Sequence, residues 1–143
     1  MSKVIYNKII AKLERLDEYL RYLNEIKKIS KKSFINDFHF YGLAERYLQL
    51  AIEATMDIGK LLILAQNFKK PEDNEDIFIV LCDNKVISQK LAHNFLGIGN
   101  FRNILVHDYE KINRIIVHEK LQKNLTDFKE FRKAVLKYLK KYL

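Results

Sequence analysis

Apolar residues recur along this chain at helical spacing. Near the start they fall at Val4, Ile5, Ile9, Leu13, Leu16, Leu20, Leu23 and Ile26, mostly in steps of three and four that line one helix face. Ser2 stands ahead of them as a candidate N-cap, and the polar run KKISKKS closes the segment. The same periodicity predicts a second helical region from near Ser33 to about Phe68, bent around Gly42. A loop, KKPEDNED, follows with the only proline, Pro71. A short helix is predicted over Ile77 to Cys82. Ser88 reads as the N-cap of a helix through Leu91 and Phe95 that continues into the stretch GNFRNILVHDY, Gly99 to Tyr109. Asn113 and Thr126 are candidate N-caps of the last helices, which turn Ile116, Leu121, Phe128, Phe131, Val135, Leu136 and Leu139 inward. Long amphipathic helices with short connections predict an all-α, up-and-down bundle, and no strand alternation competes.

Composition narrows the class further. With 143 residues, 48% of them hydrophobic, the chain is predicted to form a single domain over 1–143 with a real core. Four Gly and one Pro leave few sharp turns, which favours helices over a many-stranded sheet. The lone Cys82 excludes an internal disulfide framework and fits a reducing compartment. The opening MSKVIYNKII lacks the apolar run of a signal peptide, and no segment reaches the roughly 20 apolar residues of a bilayer span. A cytoplasmic protein with no membrane association is expected. The formal charge of +8 attracts anions, whether nucleic acid, acidic protein or anionic lipid. A solvated Lys-rich surface accounts for it equally well. Likewise Arg132, Lys133, Lys137, Lys140 and Lys141 could track RNA phosphates, but they also suit the dipole at a helix C-terminus.

The stretch from Gly99 to Tyr109 is unusual for a core helix. At about 100° per residue, Arg102, Val106 and Tyr109 fall on one line, with Asn103 and His107 slightly round from it. Ile104, Leu105 and Asp108 lie on the other side. Arg102 and His107 are still about 140° apart, so either the helix bends or ends near His107, or two copies pool their side chains. Gly97 and Gly99 permit a bend or a close backbone approach. A satisfied polar cluster, with Arg102 on a carboxylate and His107 at the helix end, is the plain alternative. Glu45, Gln49, Glu53 and Asp57 form a polar i, i+4 stripe on the second helix. Glu53 and Asp57 would repel unless a cation lies near; Arg102 is one candidate, and Arg46, Lys60 or another basic residue is the alternative.

The run Arg102-Asn103, three residues, then His107-Asp108-Tyr109 resembles the motif of the HEPN superfamily. Together with ERYLQLAIEATMDIG, Glu45 to Gly59, it is similar to the HepT branch: ribonuclease toxins paired with minimal nucleotidyltransferase (MNT) antitoxins. The resemblance implies a HEPN-like homodimer with a composite groove at the two-fold. It also implies metal-independent cleavage of RNA, with Arg102, Asn103 and His107 as catalytic residues and no cofactor. An MNT partner would attach AMP to Tyr109; separately, the polar stripe of the second helix suggests Glu53 and Asp57 as supporting residues. The residue types suit that chemistry. RNA carries its own nucleophile, the 2′-OH, so the protein need only move a proton and steady a developing charge. A histidine moves protons near neutral pH, an arginine clamps a phosphate bidentately, and Asn103 can orient the imidazole or the phosphate. His39, His93 and His118 show no metal-ligand spacing. The rival reading is a HEPN module that holds a nucleotide or a partner without cutting; the intact Arg102 and His107 pair favours the enzyme.

Overall fold

The computed structural model describes residues 1–142, with the backbone alone at Tyr109. The helices are α1 (Lys3–Lys27), α2 (Lys31–Asn36), α3 (Phe38–Ala65), α4 (Asp76–Asp83), α5 (Gln89–Asn94), α6 (Ile98–His107) and α7 (Arg114–Leu139). Short 3₁₀ turns cover Tyr109–Lys111 and Lys140–Tyr142, and there is no strand among the described residues. Among the described residues no helix is long and apolar enough to cross a membrane.

α1, α3 and α7 form the frame. Lys12 meets Asp57 while Tyr22 meets Tyr47, so α1 and α3 run antiparallel. Arg132 reaches the Leu13 carbonyl and Gln122 the Lys27 carbonyl, so α7 is antiparallel to α1 as well. The buried face of α1 is Ile9, Leu13, Leu16, Leu20, Leu23 and Ile26, as the periodicity predicts. Val4, at the head of that pattern, instead lies in the first turn and is 65% exposed. Phe78 of α4 stacks on Phe95 at 4.6 Å, and both rings meet Phe131 of α7 edge-on. These contacts fasten the α4–α5 segment to the frame, each pair adding about 0.5–1.5 kcal/mol beyond its buried area.

Three boundaries differ from those the sequence predicts, each for a local reason. The second helical region is broken at Asp37, not bent at Gly42. Ser30 caps α2 by accepting from the Ser33 N–H, and extended Asp37 caps α3 by accepting from the His39 N–H. Two good caps seven residues apart give a short helix and a new start, while Gly42 sits unremarkably inside α3. Ser88 does cap α5 through the Leu91 N–H, but that helix stops at Asn94. The chain restarts at α6 after Gly97, whose φ of 83° no β-carbon would tolerate cheaply. Asn113 caps α7 through the Ile115 and Ile116 N–H groups, whereas Thr126 caps nothing. It lies exposed within α7, because Leu121, Leu125 and Phe128 continue one buried stripe straight past it. Ile116, expected inside, is 45% exposed in the first turn of α7.

Candidate active site

α6 is held at its start by the acidic loop that follows α3. The Gly97 N–H donates to the Glu75 carboxylate at 2.8 Å. A β-carbon at Gly99 would meet Asn74 Cβ at 3.3 Å, so the loop rests directly on the first turn of α6. From there α6 packs along the polar stripe of α3, with Ile98 and Leu105 buried beneath.

Arg102 is the side chain that joins the two helices. Its Nε and Nη2 donate to Glu53 Oε1 at 3.0 and 2.8 Å, and its Nη1 donates to Asn103 Oδ1 at 3.3 Å. The two ion-pair partners are 28% and 29% exposed, so the pair is partly shielded from water but still reaches the surface. Glu53 Oε1 also accepts from Gln49 Nε2 at 3.2 Å, and Gln49 in turn accepts from Arg46 Nη1 at 3.4 Å. The cation beside Glu53 is therefore Arg102. Asp57 has a different partner, Lys12 of α1 at 3.2 Å, a basic residue other than the three named from the sequence. Glu45, at the far end of the stripe, is half-buried. Burial raises its pKa above the usual carboxylate range, and attraction to Arg114 partly opposes the rise. Arg114 itself packs over the Tyr41 ring, 3.8 Å from its centroid.

His107 is exposed and is the last residue of α6. Asp108 leaves the helix at φ −133°, ψ 61°, and pairs with Lys111 at 3.3 Å. The helix thus ends near His107, one of the two outcomes its angular separation from Arg102 demanded. It follows that helical stepping cannot place Tyr109 on the Arg102 line, because Tyr109 belongs to the 3₁₀ turn. Its side chain lies outside the described residues, and so does the expected modification there. Asn103 turns its oxygen to Arg102. Of the other histidines, His39 pairs with Asp37 and His118 lies against Phe34. Among the described residues no three His, Cys, Asp or Glu side chains gather as a metal-holding group.

Arg102 and His107 thus stand five residues apart on one short helix, the guanidinium on Glu53 and the imidazole exposed at the helix end. The family model described as "Ribonuclease HepT-like" matches residues 9–135. The chain belongs to the HepT-like ribonuclease family. It is 32% identical to the mRNA nuclease HepT of Shewanella oneidensis over 136 residues, which is 92% of this chain and 95% of that one. It is 30% identical to the tRNA nuclease HepT of Aphanizomenon flos-aquae over 105 residues, covering 73% of this chain and 71% of the other. Its fold is similar to that of the tri-AMPylated Shewanella oneidensis HEPN toxin in complex with MNT antitoxin, with a TM-score of 0.76 and 30% identity. That likeness covers 96% of this chain and 99% of the toxin. Within this HepT-like fold, hydrogen bonds join Glu53, Arg102 and Asn103, while Asp57 pairs with Lys12 and His107 ends α6. Sequence spacing alone could not find Lys12, which is 45 positions from its partner. Its only signal is its place on the polar face of α1.

Proposed function

We propose that this HepT-like protein is an endoribonuclease toxin that cuts RNA without metal at a groove formed by two copies of the chain. The observation that carries this reading is the Arg102 guanidinium, braced by Glu53 and Asn103, on the same short helix that ends in an exposed His107. Glu53 occupies the Nε edge, so Arg102 presents its remaining N–H groups outward, where a scissile phosphate would take them as charge-assisted donors. His107 takes the proton from the ribose 2′-OH, the 2′ oxygen bonds to phosphorus, and the bond from phosphorus to the 5′ oxygen breaks. The products are a 2′,3′-cyclic phosphate and a 5′-OH. In a dimer, the second copy's imidazole supplies the proton to the departing 5′ oxygen. The basic surface, +8 in formal charge, favours the polyanion.

Tyr109 follows His107 by two residues, and a relative that shares the fold is AMPylated and complexed with an MNT antitoxin. In this reading the cognate nucleotidyltransferase transfers AMP from ATP to the Tyr109 hydroxyl, releasing pyrophosphate. The new anionic phosphodiester competes for Arg102, and the adenosine fills the groove.

Arg102→Ala and His107→Ala are each expected to lower cleavage by at least about a hundredfold, the lower range for lost proton transfer or charge stabilisation. Helicity and a dimeric mass by light scattering are expected to be kept. EDTA is expected to leave activity unchanged, and fragments to end in the cyclic phosphate. Cutting that survives both substitutions, or a monomer at micromolar concentration, overturns this site. RNA that is bound but never cut would make the protein a non-catalytic module instead. Tyr109→Phe is expected to block both the AMP mass increments and the silencing.

A further inference from the structure

Beside Arg102, on the side toward the start of α6, lies an open depression lined by Glu53, Met56, Asp57, Lys60, Asn74 and Arg102. Its two carboxylates are already engaged, Glu53 by Arg102 and Asp57 by Lys12. What remains for a ligand is a cation at Lys60, an apolar floor at Met56, which is only 5% exposed, and the carboxamide of Asn74. Asn74 is not a floppy loop residue. The Asp76 N–H donates to Asp73, the Glu72 N–H to Asp76 and the Gly97 N–H to Glu75, at 2.8 to 2.9 Å. Its own Cβ is seated against Gly99. None of these bonds uses the Asn74 carboxamide, and among the described residues it takes no other side-chain hydrogen bond, so the loop fixes its position while its donors and acceptor face no such partner there.

We infer that this depression is a base subsite of the ribonuclease, an inference that rests on the proposed reaction. The nucleotide adjoining the scissile phosphate places its base in the depression, above the buried Met56. Asn74 reads the base edge with one donor and one acceptor, and Lys60 takes the next phosphate. The chemistry fits single-stranded RNA, whose unstacked bases expose their edges. An Asn carboxamide is suited to paired donor and acceptor contacts with a base, discriminating by about tenfold or more. The scissile phosphate would sit on Arg102, which lines the same depression.

The experiment uses RNA pentamers that differ at one base, bound to full-length His107→Ala protein so that nothing is consumed. Affinity is expected to vary about tenfold with the base at one position. Asn74→Ala should collapse that spread to within about twofold, and Asn74→Asp, the same shape with a donor lost, should change the preferred base. Lys60→Ala should weaken all pentamers alike and lower the salt slope by about one phosphate contact. Circular dichroism checks that each variant is folded. A spread left intact by Asn74→Ala, or no spread at all, overturns the subsite. Cleavage by the unsubstituted protein is measured separately: a base preference that depends on Asn74 in a protein that never cuts would keep the subsite and sink the ribonuclease.

Discussion

Arg102 could not be aimed by its own helix. Its guanidinium reaches across to α3, and Glu53 fixes the plane in which its remaining N–H groups lie. In the proposed reaction Glu53 is thus a positioning residue, and its charge would work against the substrate phosphate even as its geometry helps. Glu53→Gln keeps size and one acceptor while removing that charge. We expect kcat to fall about tenfold, the equivalent of one weakened charge-assisted bond, with KM unchanged or lower. A rise in KM at constant kcat would mean that Glu53 only helps RNA to bind. Glu45, eight residues earlier on the same stripe, makes a different prediction. Burial raises its pKa in the folded chain, so the folded state holds this proton more tightly than the unfolded state does. Stability is therefore lost as pH rises above the ordinary carboxylate range. Glu45→Gln should raise the melting temperature near neutrality, and the gain should vanish below about pH 4. A gain that is the same at every pH would rule out this cause.

At the level of elements, hydrophobic periodicity carried most of the fold. The α1 face was legible because six buried positions repeat without interruption, and Ser88 and Asn113 were legible as caps because each precedes an apolar helix. Thr126 looked the same in sequence, but a threonine inside a helix and one at its start differ only in whether the buried stripe continues. The break at Asp37 was hidden because apolar residues, Phe34, Ile35, Phe38 and Phe40, recur on both sides of it. The site was half legible: Arg102 and Glu53 could be paired by charge logic, whereas Lys12 and Asn74 reach the site through tertiary packing that no local spacing records. Two glycines of α3 separate close packing from open space. A β-carbon at Gly59 would lie 2.5 Å from Ile77 Cγ2, where α4 crosses, while one at Gly42 meets nothing within 4 Å. Gly59→Ala should cost about 1–3 kcal/mol, and Gly42→Ala should gain up to about 1 kcal/mol from helix propensity. Denaturant titration giving both changes the same sign would contradict this packing.

The whole molecule is a three-helix frame with a lighter arm laid on it. α1, α3 and α7 bury a continuous set of aliphatic and aromatic side chains, whereas α6 is ten residues long, leans mainly on α3, and is fastened by a loop at one end and an ion pair in its middle. A segment with so few buried anchors opens without the rest of the chain unfolding. Amide hydrogen exchange gives that its measure: protons of α6 should leave through local opening, at a free energy well below that of the α1 and α3 cores. Exchange in α6 that is as slow as in the frame would show that it unfolds only with the whole. Clamping of Arg102 by RNA, or by an AMP group on Tyr109, would then slow exchange across α6 first, so the residues proposed to cut would also be the ones whose ordering reports that the proposed groove is occupied.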